Sequence, residues 1–198
     1  MIYHTDKGMT AAILMASGFS RRFCGRNKLL IPFRGKPLVR YTLELTAAIG
    51  FSGGIFFVTA LDDVAALAAD LPGVTVIKNA APEKGQRESV RIGVEAAGPA
   101  ATFYLFFPCD MPFLDADSVR RILDKREQGC IVEPRYHGKP GNPCLFSAAF
   151  REELVSLKEG EAPRHIKARH PEALRVVDIS NPQTLLDIDD EETLQRMG

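Results

Sequence analysis

The sequence predicts an α/β protein whose mostly parallel central sheet is covered by helices on both faces. Three observations carry this. The runs 11–16, 55–59 and 103–107 are apolar on both faces, as central parallel strands are. Segments with apolar residues at helical intervals alternate with these runs through the first two-thirds of the chain. The chain has 198 residues, 45% of them hydrophobic, which is enough for one substantial core, and a single domain over residues 1–198 is expected.

Taken in order, the first strand (residues 11–16, containing Ile13 and Leu14) breaks at Ser17-Gly18 into a loop dense in cations. Residues 29–33 read as a short extended piece and 34–37 as a turn, with Pro37 suited to the first position of a helix. Leu38, Tyr41, Leu45 and Ile49 then recur at helical spacing, so a helix is expected over 37–49, ended by Gly50, Gly53 and Gly54. A strand at 55–59, a helix through 61–71 closed by Pro72-Gly73, and a strand at 74–77 follow. Lys84 to Val90 leads into a helix with Val90, Gly93, Val94 and Ala97 on one face, and the strand 103–107 ends in Pro-Cys-Asp-Met-Pro.

Either Asp115 or Asp117 can cap the helix that carries Val119, Ile122 and Leu123. The last third is less regular. Strands are expected at 130–136, 144–146 and 175–179, with a Gly/Pro-rich turn at 137–143. Helices are expected around Phe150, Leu154 and Leu157, after Gly160, and after Asp189.

Charge narrows the function. Twenty-five basic and twenty-five acidic residues cancel, which argues against a nucleic-acid or membrane-surface partner. No apolar stretch reaches transmembrane length, the first residues do not have the pattern of a signal peptide, and a cytoplasmic location is expected. Cys24, Cys109, Cys130 and Cys144 form no Cys-x-x-Cys pair, and the four histidines lack the spacing of a helical zinc motif. The cysteines read as reduced. Cys24 stands beside arginines that would lower a thiol pKa, although a loop residue without redox work is the simpler reading.

The positive charge is concentrated in one place. Arg21, Arg22, Arg26 and Lys28 follow Ser17-Gly18 within a few residues. Backbone N–H groups of such a loop form an anion-binding nest, a guanidinium grips two phosphate oxygens, and an ammonium adds a mobile charge. The chain has neither Gly-x-Gly-x-x-Gly after its first strand nor a P-loop, so a dinucleotide fold and a P-loop NTPase are both unsupported. The alternative for the arginines is solvation of a surface loop.

Asp110, just beyond an apolar strand, stands where open α/β sheets bind ligands. There it is either a hard oxygen ligand for Mg²⁺ or an acceptor within its own turn. Asp187 and Asp189 are either further metal ligands or a helix cap.

Residues 15–30 (Met-Ala-Ser-Gly-Phe-Ser-Arg-Arg-Phe-Cys-Gly-Arg-Asn-Lys-Leu-Leu), followed by Gly35-Lys36-Pro37-Leu38, resemble the opening signature of sugar-phosphate and cofactor nucleotidyltransferases. Within these, the chain is most similar to the molybdenum cofactor cytidylyltransferases. The likeness continues through Gly85 to Val90, Pro108 to Phe113, Gly138 to Pro143, Gly160 to Arg164 and Asp187 to Asp189. The sequence departs from the pattern at Ser17, Cys24, Pro163 and Asp190.

The resemblance implies a three-layer α/β/α Rossmann-like fold. It also implies transfer of CMP from CTP to the terminal phosphate of the molybdenum cofactor's pterin, with Mg²⁺ as cofactor and release of pyrophosphate. Arg22 and Lys28 would hold the triphosphate and its transition state. Ala16, Ser17 and Gly18 would contact the nucleotide through backbone, and Gln86 and Ser89 its base or ribose. Asp110 would hold the metal, with Asp189 or Asp187 as a second ligand. Asn142 and Arg164 would face the acceptor, and a molybdenum hydroxylase would receive the product. The rivals are a guanylyltransferase of the same cofactor, the cytidylyltransferase of methylerythritol phosphate and, in another class, a non-catalytic cofactor carrier.

Overall fold

The computed structural model describes residues 8–18, 23 and 26–197. In chain order its strands and helices are β1 (Thr10–Met15), the hairpin β2 (Pro32–Phe33) and β3 (Lys36–Pro37), α1 (Leu38–Ile49), β4 (Ile55–Thr59), α2 (Asp62–Ala66), β5 (Val74–Lys78), α3 (Gln86–Ala97), β6 (Phe103–Pro108), α4 (Ala116–Asp124), β7 (Ile131–Tyr136), β8 (Lys139–Pro140), β9 (Cys144–Ser147), α5 (Arg151–Val155), α6 (Pro163–Arg169), β10 (Leu174–Asp178) and α7 (Glu191–Met197).

The main sheet runs in the order β10-β7-β9-β6-β1-β4-β5, with β8 added beside β7. Strands β5, β4, β1 and β6 are mutually parallel, as their apolar faces require, and β10 lies parallel to β7. Only β9 and β8 run against their neighbours. The sheet is therefore mostly parallel.

Alternate residues of each strand enter opposite cores. Leu14, Phe57, Leu105 and Phe107 pack under α1, α2 and α4 through Val39, Leu43, Val64, Val119 and Ile122. Ile13, Val58, Tyr104 and Phe106 pack under α3, α5 and α6 through Val90, Val94, Leu154 and Ile166. These are the two outer layers of an α/β/α sandwich. Gly93 lets α3 lie close on the sheet, because a Cβ there would stand 2.5 Å from Ile13 Cγ2. A third cluster joins Phe23, Phe33, Leu38 and Ile188, with Leu194 and Met197 of α7 against it, and so ties the last segment to the region after β1.

Several local expectations change. Residues 29–33 are not one extended piece: Asn27 accepts from the Leu29 N–H and caps a 3-10 turn over Lys28–Leu30, which precedes β2. Pro37 is the cap of α1 rather than its first residue. Helix α2 stops at Ala66, short of residue 71; Arg40 Nη1 occupies the Leu67 carbonyl at 2.8 Å, and the chain goes on in tighter turns such as Leu71 N–H to Ala68 O. The 137–143 segment contains a hairpin, with His137 (φ 47°) and Gly138 (φ 78°) at its tip. Asp115 is the cap of α4, accepting from the Ser118 N–H at 2.7 Å.

Candidate active site

Strand β1 is the centre of the parallel half. The chain leaves it toward β4 on one side and later returns to β6 on the other. Ligand crevices of open α/β sheets form at such a reversal, beyond the carboxyl ends of the strands. Ser17 and Gly18 follow the end of β1, and Asp110 follows the end of β6. Both come to this crevice.

Lys28 meets the carboxylates here. Its Nζ donates to Asp110 Oδ2 at 2.6 Å, to Asp189 Oδ1 at 2.8 Å and to the Ile188 carbonyl at 3.1 Å. The 3-10 turn after Asn27 aims Lys28 inward, while the burial of Ile188 and its N–H bond to the Asp110 carbonyl fix the 187–189 segment beside it. Burial opposes the ammonium charge, but the charge of Asp110 and the hydrogen bonds to Asp110 and Asp189 prevail and raise its pKa above the ordinary lysine value. Asp187 has its carboxyl pKa pushed up by desolvation and by the nearby charges of Asp189 and Asp110. The cap of α7 is neither Asp187 nor Asp189. Asp190 fills that place, accepting from the Thr193 N–H at 2.7 Å.

Two cavities adjoin at Met15 and Gln86, which line both, and Gln86 Nε2 lies 3.8 Å from Met15 Sδ. The first, of about 280 Å³, is lined by Ser17, Gly18, Gln86, Ser89 and Asp110 among others. Among the described residues a Cβ at Gly18 would meet no atom within 4 Å. Ser89 is buried and its Oγ accepts from Asn79 Nδ2 at 3.2 Å. The Ala16 N–H donates to the Val58 carbonyl and its carbonyl accepts from Thr59 Oγ1, and Ala16 lines a further cavity together with Ser17 and Gly18.

The second cavity, of about 230 Å³, contains Asn142 and Arg164 in its wall, together with Phe106, Phe146, Cys144 and Lys167. The structure thus gathers Ser17, Gly18, Gln86, Ser89 and Asp110 on one side and Asn142 and Arg164 on the other. Arg22, Arg21 and Cys24 lie outside the described residues. Asn79 and Lys167 were not singled out from the sequence; an Asn just past a parallel strand end was the available signal for the first, and nothing local marks the second.

Among the described residues the buried Asp110 Oδ1 has no hydrogen-bond partner, which fits an oxygen open to a cation such as Mg²⁺. Among the described residues no group of three or more His, Cys, Asp or Glu is placed to hold a metal. A Mg²⁺ ion held by one or two carboxylates does not require such a group. The described cysteines are buried thiols. Burial pushes the thiol of Cys109 well up, and that of Cys144 up to about 11.

The sheet order and the crevice at its reversal define an open α/β protein with a cation–carboxylate cluster beyond its strand ends. The chain belongs to the family of the MobA-like NTP transferase domain, whose profile matches residues 12–174. Among curated proteins it is similar to a nicotine blue oxidoreductase from Paenarthrobacter nicotinovorans, 25% identical over 201 residues and 98% of each chain. It is also similar to a molybdenum cofactor guanylyltransferase from Ralstonia pickettii, 25% identical over 162 residues, 75% of this chain and 76% of that one. The crystal structure of Rv0371c from Mycobacterium tuberculosis superposes with a TM-score of 0.81 at 25% identity, over 96% of this chain and 98% of that one. A manganese complex of Rv0371c superposes at 0.76, with 23% identity over 96% and 97% of the two chains. No helix among the described residues is long and apolar enough to cross a membrane.

Proposed function

We propose that this nucleotidyltransferase joins CMP, taken from CTP, to the terminal phosphate of molybdopterin or the molybdenum cofactor. The observation that carries the reading is the Lys28–Asp110–Asp189 cluster at the β1/β6 crevice, with one cavity on the nucleotide side and a second adjoining it at Met15 and Gln86. An oxygen of the acceptor phosphate attacks the α-phosphorus, the bond to the β-phosphate oxygen breaks, and pyrophosphate leaves. Ser17, Gly18, Gln86 and Ser89 line one cavity; in this reading it takes the nucleotide, and Gln86 and Ser89 contact base or ribose. Lys28 and Arg22 neutralise the triphosphate charge that grows as pyrophosphate departs.

Mg²⁺ would supply positive charge at the triphosphate. Asp110 would hold it, with Asp189 or Asp187 as a second oxygen donor. Asn142 and Arg164 orient the acceptor, so catalysis is positioning and charge stabilisation without a covalent enzyme intermediate. The product would pass to a molybdenum hydroxylase.

The test is pyrophosphate release from each of CTP, GTP, ATP and UTP with Mg²⁺ and the phosphorylated pterin, paired with thermal shifts by each nucleotide. CTP-dependent release is expected. Preferential turnover of GTP would transfer the reading to the guanylyltransferase activity named for the Ralstonia relative. A second reading comes from the relative that matches over 98% of each chain and is named for an oxidation–reduction. Redox turnover of nicotine blue with an added electron donor or acceptor, and no pyrophosphate from any nucleotide, would favour it, and pterin binding without either activity would favour a carrier.

A further inference from the structure

The second cavity has a cationic floor with a buried counter-charge behind it. Lys167 and Arg164 stand three positions apart on α6, hence on one helix face, and both line the cavity; none of its described lining residues is acidic. Glu133 of β7 is 4% exposed and lies behind Lys167, receiving its Nζ on Oε2 and Arg135 Nε on Oε1 at 3.0 Å. Both oxygens of this single carboxylate are therefore bonded, and two cations share its charge.

Lys167 is 17% exposed. Its remaining described partner is the weak acceptor Cys144 Sγ at 3.5 Å. An ammonium carries three N–H donors, so one is left for the cavity. Arg164 has no ion pair among the described residues. Phe106, Phe146 and Met15 make the other walls apolar. A cavity so built takes a flat or apolar body that bears an anionic group.

We propose that Lys167 is the acceptor-recognition residue of this site, its ammonium binding an anionic group of the acceptor while Glu133, relieved of part of its charge by Arg135, holds that ammonium in place. The proposal rests on the reading of the second cavity as the acceptor side, and it assigns to Lys167 a role separate from the triphosphate loop.

The experiment titrates the full chain with inorganic phosphate, with pterin-6-carboxylate and with the phosphorylated pterin, with a neutral pterin as control. Wild type is compared with Lys167→Met and with Glu133→Gln/Lys167→Met. The double variant removes both buried charges and carries the measurement if the single one fails to fold. Loss of one charge-assisted hydrogen bond lowers affinity for an anionic probe about ten- to a hundredfold. Binding of CTP and of the neutral pterin stays within about twofold, which a merely structural role would not spare, and Lys167→Arg restores anion binding.

Dependence of the phosphate or carboxylate probe on Lys167, with no binding of the phosphorylated pterin, would uphold the proposal and remove the pterin reading. Anion affinities within twofold of wild type in the folded variants, or no anion binding by wild type, would overturn the proposal.

Discussion

Replacing Lys28 by Met tests whether this ammonium stands in for a metal when none is bound. The side chain is 16% exposed and gives hydrogen bonds to Asp110, Asp189 and the Ile188 carbonyl. Asp110 is 14% exposed and its other oxygen has no partner among the described residues, so Lys28→Met leaves this carboxylate without its bonded cation. Asp189 is half open to water and contributes little. The loss is about 2 kcal/mol, the range for a hydrogen bond between charged groups in partial burial. For a chain of this length that lowers Tm by about 4–8 °C.

The sign with pH follows from the raised pKa of Lys28: its contribution is complete below the ordinary lysine pKa and fades only as pH rises through the folded value, so melting is measured near pH 7.5. Added Mn²⁺, in the absence of nucleotide, then has less competition in the variant. At a concentration about a hundred times its Kd it returns about 2.7 kcal/mol, and it raises the variant's Tm more than the wild type's. A variant melting within about 1 °C of wild type, or equal metal-induced shifts in the two proteins, would refute the place-holder argument.

Three further outcomes are expected. Arg22→Ala lowers pyrophosphate release from CTP about a hundredfold at saturating substrate, as loss of one preorganised charge does, and turnover within a few-fold of wild type would remove Arg22 from the site. Gly93→Ala places a methyl group 2.5 Å from Ile13 Cγ2 and 3.4 Å from Val58 Cγ2, costing about 1–3 kcal/mol in denaturant melts; an unchanged midpoint would show that α3 shifts freely. Glu88, whose pKa is lowered chiefly by its hydrogen bond from Arg91, gives stability that is present above the ordinary glutamate pKa and lost as pH falls through the folded value. The Tm gap between wild type and Glu88→Gln therefore closes on acidification below about pH 4.3, and a gap that stays constant to pH 3 would contradict the assignment.

The central strands were legible because their environment is written in consecutive residues. Ile55 to Thr59 and Phe103 to Phe107 must be apolar on both faces to lie between two helical layers, and they form strands with boundaries within one residue of those expected. What pairing decides is less legible. The Cys144–Ser147 strand reads as apolar whichever way it runs; its reversal between β6 and β7 follows from the short return after β7, where His137 and Gly138 turn the chain back. The end of α2 depends on Arg40, which belongs to another helix and takes a carbonyl that local periodicity would leave to the helix. In the site, Ser17, Gly18 and Asp110 are readable as residues just beyond strand ends. Lys167 and Glu133 are 34 positions apart, and neither sits in a pattern that names the other. Only the packing of α6 across β7 and β9 makes them a pair.

That pairing bears on how two anionic substrates can share one crevice. Under the proposed reaction, an acceptor phosphate must approach a triphosphate. Two unit charges about 4 Å apart repel by about 4 kcal/mol at an effective dielectric constant of 20. On the nucleotide side, the loop cations and a metal at Asp110 offset this repulsion. Engaged by the triphosphate, those charges leave the acceptor phosphate to be held elsewhere. A separate cationic floor is needed beyond Met15 and Gln86, and Lys167 with Arg164 provides it. Glu133 keeps that floor from repelling itself without presenting a carboxylate to the cavity, since both its oxygens are bonded behind Lys167. The separation of a carboxylate-bearing nucleotide side from a cation-bearing acceptor side thus follows from substrate charge, and it explains why the second cavity carries no acid among its described lining residues.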